Sequence, residues 1–215
     1  MSLNYSLLVF DWDGTLMDSE SHIVACLQSA IDAMGLEPLP SRSLSNVIGL
    51  GLHEAIAQLY PEAEASTIAN FINHYRNHFL SEQQPTRLFP GTKTLLEELH
   101  SRGYLMAVAT GKSRRGLDRS LTETECQHLF HISRCADECF SKPHPQMLLE
   151  IMAELDVNPE KTLMIGDTEY DMLMAASAGT AALAVDYGVH DRQRLLSMNP
   201  LHCLSDIREL LEWLN

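Results

Sequence analysis

The sequence predicts an α/β fold: a doubly wound, mostly parallel sheet with helices on both faces and a small all-helical domain inserted near its N-terminal end. Three observations support this. Short apolar runs near residues 7–10, 104–109, 162–165 and 181–185 alternate with stretches of helical period, as expected for strands buried by crossover helices. Several of these runs stop abruptly at polar residues, and the carboxyl ends of parallel strands are where open α/β sheets place their chemistry. Between residue 17 and about 87, by contrast, the apolar residues recur only at helical spacing.

The first run, Leu7-Leu8-Val9-Phe10, empties into Asp11-Trp12-Asp13-Gly14-Thr15. A carboxylate at a strand end can hold a divalent metal or attack an electrophile. Gly14 permits a sharp turn that leaves amides to face an anion, and the Thr15 hydroxyl can brace the loop. Asp-x-Asp-Gly is also ordinary turn chemistry. An EF-hand is the weaker reading, because no third oxygen donor precedes the glycine and an apolar Leu16 follows closely.

Ile23, Leu27, Ala30, Ile31 and Met34 then mark one helical face that stops at Gly35, with Asp18 or Ser19 placed to cap its start. Further helical patterns cover about 52–60 and 65–80, and Phe89-Pro90-Gly91 marks the return to the sheet. The expected organisation is therefore a core of residues 1–16 and 88–215 and a helical cap of residues 17–87. A lid of this kind excludes water during chemistry and reopens for release. Ile48-Gly49-Leu50-Gly51-Leu52 half-matches a dinucleotide fingerprint but lacks its third glycine and a preceding strand. His74 and His78, on one helical face near Tyr75, read as solvated or packing groups.

After a helical pattern at about 92–102, the run ending in Ala109 meets Thr110-Gly111-Lys112-Ser113, where a hydroxyl and a glycine amide make a small donor nest for one phosphoryl oxygen. Lys112, Arg114 and Arg115 read as a solvated basic turn. In Ser141-Lys142-Pro143-His144-Pro145 the prolines stiffen a connection ahead of the helical pattern at 146–155, so Lys142 is held facing inward, while His144 reads as structural or exposed. Thr162-Leu163-Met164-Ile165-Gly166 is followed by Asp167, and four residues later Asp171 opens a helix. Asp171 can act as a cap; the spacing also lets it turn back toward Lys142 while Asp167 faces a metal. Ile207, Leu210, Leu211 and Leu214 form a closing amphipathic helix.

Composition narrows the partners. At 215 residues the chain can bury a full core. Its formal charge of −14 argues against nucleic acid or an anionic membrane surface, so an anionic substrate must be drawn by a local positive site. The 5 cysteines are odd in number and scattered, which fits a reducing, cytoplasmic setting, and the Cys135 and Cys139 pair lacks the second pair a zinc site needs. No basic leader with a long apolar run and no stretch near 18 apolar residues is present, so neither secretion nor a membrane span is expected.

Together these four polar strand ends resemble the four motifs of the haloacid dehalogenase superfamily: Asp11 to Thr15 the first, Thr110 the second, Lys142 the third, and Gly166 to Asp171 the fourth. Length and the insert after the first motif are most similar to the phosphoglycolate phosphatase branch. The resemblance implies an Asp11 nucleophile forming an aspartyl-phosphate, and an Asp13 acid that protonates the leaving alcohol and then activates water. It implies Mg²⁺ held by the Asp11 carboxylate, the Asp13 backbone carbonyl and Asp167. Thr110, the Gly111 amide and Lys142 would hold the phosphoryl oxygens, with Asp171 orienting Lys142. His53, Arg42 and Arg76 are the cap candidates for a substrate anion, His53 and Arg42 above all for a carboxylate.

An acid at position 13 favours phosphate esters over carbon–halogen cleavage, since a halide leaves without a proton. A phosphonate-cleaving relative would need a cap lysine, and no lysine precedes Lys93. A phosphosugar mutase and a catalytically silent binding protein remain as alternatives to a phosphatase acting on a small anionic phosphorylated metabolite, as a monomer or homodimer.

Overall fold

A computed structural model describes residues 5–81 and 87–215 of the chain. Strand β1 (Leu7–Phe10) leads through the short β2 (Met17–Asp18) into four consecutive helices, α1 (Glu20–Met34), α2 (Ser41–Ser45), α3 (Leu52–Leu59) and α4 (Ala65–Ser81). The chain returns through β3 (Arg87–Leu88) and α5 (Thr92–Ser101) to β4 (Leu105–Thr110), α6 (Arg114–Thr124), β5 (Ile132–Cys135) and α7 (Gln146–Leu155). It ends with β6 (Thr162–Gly166), α8 (Glu169–Ala178), β7 (Ala181–Val185), α9 (Arg192–Ser197), β8 (His202–Leu204) and α10 (Leu210–Leu214).

Six strands form one sheet in the order β5-β4-β1-β6-β7-β8, and every pairing within it is parallel. Strand side chains alternate between the two faces. Leu8, Phe10, Val108 and Ile165 therefore pack into one core with Leu95, Leu99, Leu117 and Leu210 from α5, α6 and α10. Leu7, Val9, Ala107 and Met164 pack into the other with Met147, Ile151 and Met174 from α7 and α8. All four residues of β1 are buried, which explains its unbroken apolar run and its position at the centre of the sheet.

Helices α1 to α4 bury a cluster of their own around Leu27, Ile31, Leu44, Ile56 and Phe71. The two-residue ribbon of β2 with β3 pairs Met17 with Leu88 and Asp18 with Arg87, so the chain leaves and re-enters the sheet at one place. No described helix is long and apolar enough to cross a membrane.

Strands β5 and β8 and helices α2, α6 and α9 carry no sequence signal used above. β5 is an edge strand, Ile-Ser-Arg-Cys, of which only Cys135 is buried. Helix α6 buries only Leu117, Ser120 and Leu121, one narrow face of an otherwise charged and polar segment.

Candidate active site

Strands β4, β1 and β6 lie side by side, with Phe10 paired to both Val108 and Ile165, so the residues that follow them converge. Thr110 closes β4, Asp11 follows β1 and Asp167 follows β6. Asp11, Asp167 and Lys142 are each no more than 1% exposed. The Asp11 amide extends the ladder by donating to the Ile165 carbonyl at 2.9 Å, which fixes the residue's backbone.

Asp11 Oδ1 accepts the Trp12 amide at 2.6 Å and lies 2.8 Å from Lys142 Nζ. Asp11 Oδ2 is buried and has no hydrogen-bond partner among the described residues. Lys142 also donates to Asp171 Oδ1 at 2.7 Å, while Asp171 Oδ2 accepts the Thr168 amide at 3.1 Å and hydroxyl at 2.7 Å. Thr168, not Asp171, is the N-cap of α8; Asp171 closes the capping box from the third position of the helix and is also the partner of Lys142. Asp167 Oδ1 accepts the Thr15 hydroxyl at 2.7 Å, and its Oδ2 accepts the Val189 amide at 2.8 Å.

These carboxylates are short of positive charge. Burial pushes the Asp11 carboxyl well above the usual range; Lys142 pulls it down, and Asp171 and Asp167 add to the rise. Burial, then the neighbouring Asp171, pushes Asp167 up to about 7, against the Val189 amide and the Thr15 hydroxyl. Burial alone would lower Lys142, but Asp11 and Asp171 outweigh it and hold the ammonium above the ordinary lysine value. Oxygens of Asp11, Asp167 and Asp171 lie within 4.8 Å of one another, a spacing that suits a divalent cation. Of the three, Asp171 is the one engaged by both an ammonium and a helix start, and Asp11 carries the one unpartnered buried oxygen among the described residues of the cluster.

Gly14 adopts φ +87°, and a Cβ there would lie 2.2 Å from Asp167 Oδ2. Its amide donates to the Met17 carbonyl at 2.8 Å. The amide is therefore not free for a substrate anion, contrary to the sequence expectation; the glycine serves instead to let Asp167 approach.

Asp13 Oδ1 accepts the Ser19 hydroxyl at 2.6 Å and Lys112 Nζ at 2.9 Å, with Asp13 Oδ2 3.0 Å from the same ammonium. Two expectations are corrected here. Ser19 occupies the N-cap position of α1, but its side chain makes no cap bond and turns to Asp13. Lys112 is no solvated turn residue: its side chain is only 9% exposed and its ammonium lies 5.1 Å from the centre of the Phe79 ring.

A cavity of about 710 Å³ opens between the strand ends and the helices. Asp11, Asp13, Thr110, Gly111 and Lys112 line it from one side; Ile23, Leu27, the 47–55 segment, Tyr75, Arg76 and Phe79 line it from the other. Thr110 is buried, and its hydroxyl oxygen accepts the Lys112 amide at 3.2 Å. The Gly49-Leu50-Gly51 turn presses on the sheet side directly. Its Gly51 amide donates to the Ser141 hydroxyl at 2.7 Å, and a Cβ on Gly111 would sit 2.3 Å from the Leu50 carbonyl oxygen. Away from the cavity, the Tyr170 hydroxyl donates to the Asn46 carbonyl at 2.9 Å.

His53 lines the cavity but is 63% exposed, 4.0 Å from the Glu54 carboxylate. Arg42 lies exposed on α2 and is not among the lining residues, because that helix buries Leu44 and turns its other side outward. His144 is exposed and His74 is exposed, as the sequence suggested. Beyond Lys112 and Ser19, the sequence reading missed Ser141 and the 186–190 loop that supplies the Val189 amide. A polar residue beside a motif lysine was the available signal for Ser141; the 186–190 loop gave none.

A buried lysine and carboxylate cluster at the ends of parallel strands, beside a cavity lined from its other side by helical residues, is an arrangement suited to phosphoryl transfer. The family model for haloacid dehalogenase-like hydrolases matches residues 8–185, and the chain belongs to that family. A protein of Dickeya dadantii (strain 3937) named probable phosphatase IndB is 33% identical over 199 residues, covering 90% of this chain and 86% of its own. A phosphoglycolate phosphatase of Haemophilus influenzae (strain 86-028NP) is 28% identical, covering 98% of this chain and 99% of its own. Among solved structures, a haloacid dehalogenase-like hydrolase from Bacteroides fragilis superposes with a TM-score of 0.90 at 27% identity, covering 96% of this chain and 99% of that one. The protein is a phosphatase of this family.

Proposed function

We propose that the protein hydrolyses a small phosphate monoester through an aspartyl-phosphate on Asp11, with residues 17–87 acting as a cap over a core of residues 1–16 and 88–215. The observation that carries this reading is the asymmetry of Asp11, whose Oδ1 is held by the Trp12 amide and Lys142 while buried Oδ2 is unpartnered. A carboxylate so oriented is ready to attack phosphorus without reorganising. Asp13, lining the same cavity and held by Ser19 and Lys112, is placed to protonate the departing oxygen and later to take a proton from water. Thr110, the Gly111 amide and Lys142 hold the phosphoryl oxygens, and Asp171 keeps Lys142 aimed.

The residues fit Mg²⁺, which the Asp11 and Asp167 carboxylates and the Asp13 backbone carbonyl would hold. Bound there, it supplies the positive charge that lets a phosphate dianion approach these carboxylates. Sequence likeness to a phosphoglycolate phosphatase along nearly the whole chain supports phosphoglycolate as the substrate, and the cysteine pattern supports a cytoplasmic location. His53 and Arg76, which both line the cavity, are the remaining cap candidates for contacts to the substrate's leaving group.

The test is a panel of phosphoglycolate, p-nitrophenyl phosphate and β-glucose 1-phosphate with Mg²⁺, each also acid-quenched for mass spectrometry. Phosphate release with a phosphorylated Asp11 peptide supports the reading. Isomerisation of the sugar phosphate without phosphate release would replace it with a mutase, and no turnover of any of the three would remove this reading.

A further inference from the structure

Lys112 stands apart from the phosphoryl-holding groups. It follows Thr110 and Gly111 on the same loop, lines the cavity, and has a side chain only 9% exposed. Its ammonium touches both oxygens of Asp13, at 2.9 and 3.0 Å, and faces the ring of Phe79 on α4. The other buried cation of the site, Lys142, is taken by Asp11 and Asp171. Among further lining cations, Arg76 and Arg115 are exposed, where water and salt weaken their grip on an anion, and Arg119, with a side chain 37% exposed, is already paired with Glu123 on its own helix.

We propose that Lys112 determines specificity by binding a second anionic group of the substrate, a carboxylate one or two atoms beyond the leaving oxygen. The placement follows from Asp13. If Asp13 delivers a proton to the leaving oxygen, it lies within hydrogen-bond reach of that oxygen, and an ammonium already bonded to Asp13 lies next to whatever that oxygen carries. An ammonium has three donors, so it can keep Asp13 and still meet a further anion. The need is also electrostatic. A second negative group must enter beside Asp13 in a chain of formal charge −14, and Lys112 is the cation there that is both shielded from solvent and not spent on the phosphoryl group. His53, much more exposed and beside Glu54, is the weaker anchor.

This inference rests on the phosphatase reading and is tested separately from it. Wild type, Lys112→Met and Lys112→Arg are compared on 2-phosphoglycolate and on 2-hydroxyethyl phosphate, a neutral counterpart of similar size, with p-nitrophenyl phosphate as a general control. Wild type should prefer phosphoglycolate. Lys112→Met should lower kcat/KM for phosphoglycolate about 10- to 100-fold more than for hydroxyethyl phosphate, mainly through KM, and Lys112→Arg should regain part of the preference. Lys112→Gln replaces the Met variant if that protein does not fold. Equal losses on both substrates, confined to kcat, would mean that Lys112 serves Asp13 alone and would overturn the proposal. A wild type indifferent to the carboxylate would overturn it too, with the phosphatase intact. Failure of wild type on all three esters would instead remove the reading it rests on, and the proposal with it.

Discussion

Asp11 has one oxygen fastened and one unpartnered, and the fastening is as informative as the freedom. The Trp12 amide and Lys142 both act on Oδ1, so rotation of the carboxyl would sacrifice two charge-assisted bonds. Asp11→Asn should therefore fold with the wild-type circular dichroism spectrum and lose roughly four or more orders of magnitude in kcat, because an amide neither attacks phosphorus nor retains the charge that Lys142 answers. Residual turnover above about one per cent of wild type would contradict a covalent role. Much of this residue set was legible in the sequence. Asp11, Asp13, Thr110, Lys142, Asp167 and Asp171 all follow strand ends or loops with clear apolar punctuation, and the sheet brings them together. Lys112, Arg42 and the Gly14 amide were misread for one reason: exposure and the partner of a backbone group depend on which distant segment folds over them, and local spacing does not carry that information.

At the scale of elements, the start of α1 shows a residue diverted from its usual local task. Ser19 holds the N-cap position, yet its hydroxyl serves Asp13. Replacing Ser19 with Ala should leave hydrogen exchange of the first-turn amides of α1 unchanged while lowering kcat several-fold; faster exchange there with unaltered kcat would restore Ser19 to ordinary capping. The long elements were readable because their periods are strong. Helices α1, α3, α4, α5 and α7 fall within a few residues of where apolar spacing puts them, and β1, β4, β6 and β7 are buried runs. What escaped was peripheral: β5 and β8 edge the sheet and need few apolar side chains, and the five-residue α2 is too short for a period to show.

For the whole molecule, the carboxylate cluster makes stability depend on pH and metal together. Asp167 rises from an ordinary value of 3.8 to about 7 in the folded state, so between those limits the folded chain retains a proton that the unfolded chain has released. Its contribution is present at low pH and is lost as pH rises through about 7. The chelator-treated protein should accordingly show a melting temperature that falls from pH 5 to pH 8, and Mg²⁺ should raise it more at pH 8 than at pH 5. A melting temperature independent of Mg²⁺ at pH 8 would argue against a metal between Asp11 and Asp167.

The Gly49-Leu50-Gly51 turn rests on Gly111 and bonds to Ser141, the chain neighbours of Thr110 and Lys142, the two residues that the proposed mechanism sets on the phosphoryl group. On that mechanism, lifting the turn would disturb the grip, and tightening the grip would hold the turn down. Such an enzyme would be frictional: once chemistry is fast, its speed would be set by how quickly a protein segment moves through solvent. With an activated aryl ester, kcat should fall in proportion to solvent viscosity as sucrose is added, and with an alkyl ester whose bond is slow to break it should not. Identical viscosity dependence for the two esters would show that the turn moves independently of the groups it touches.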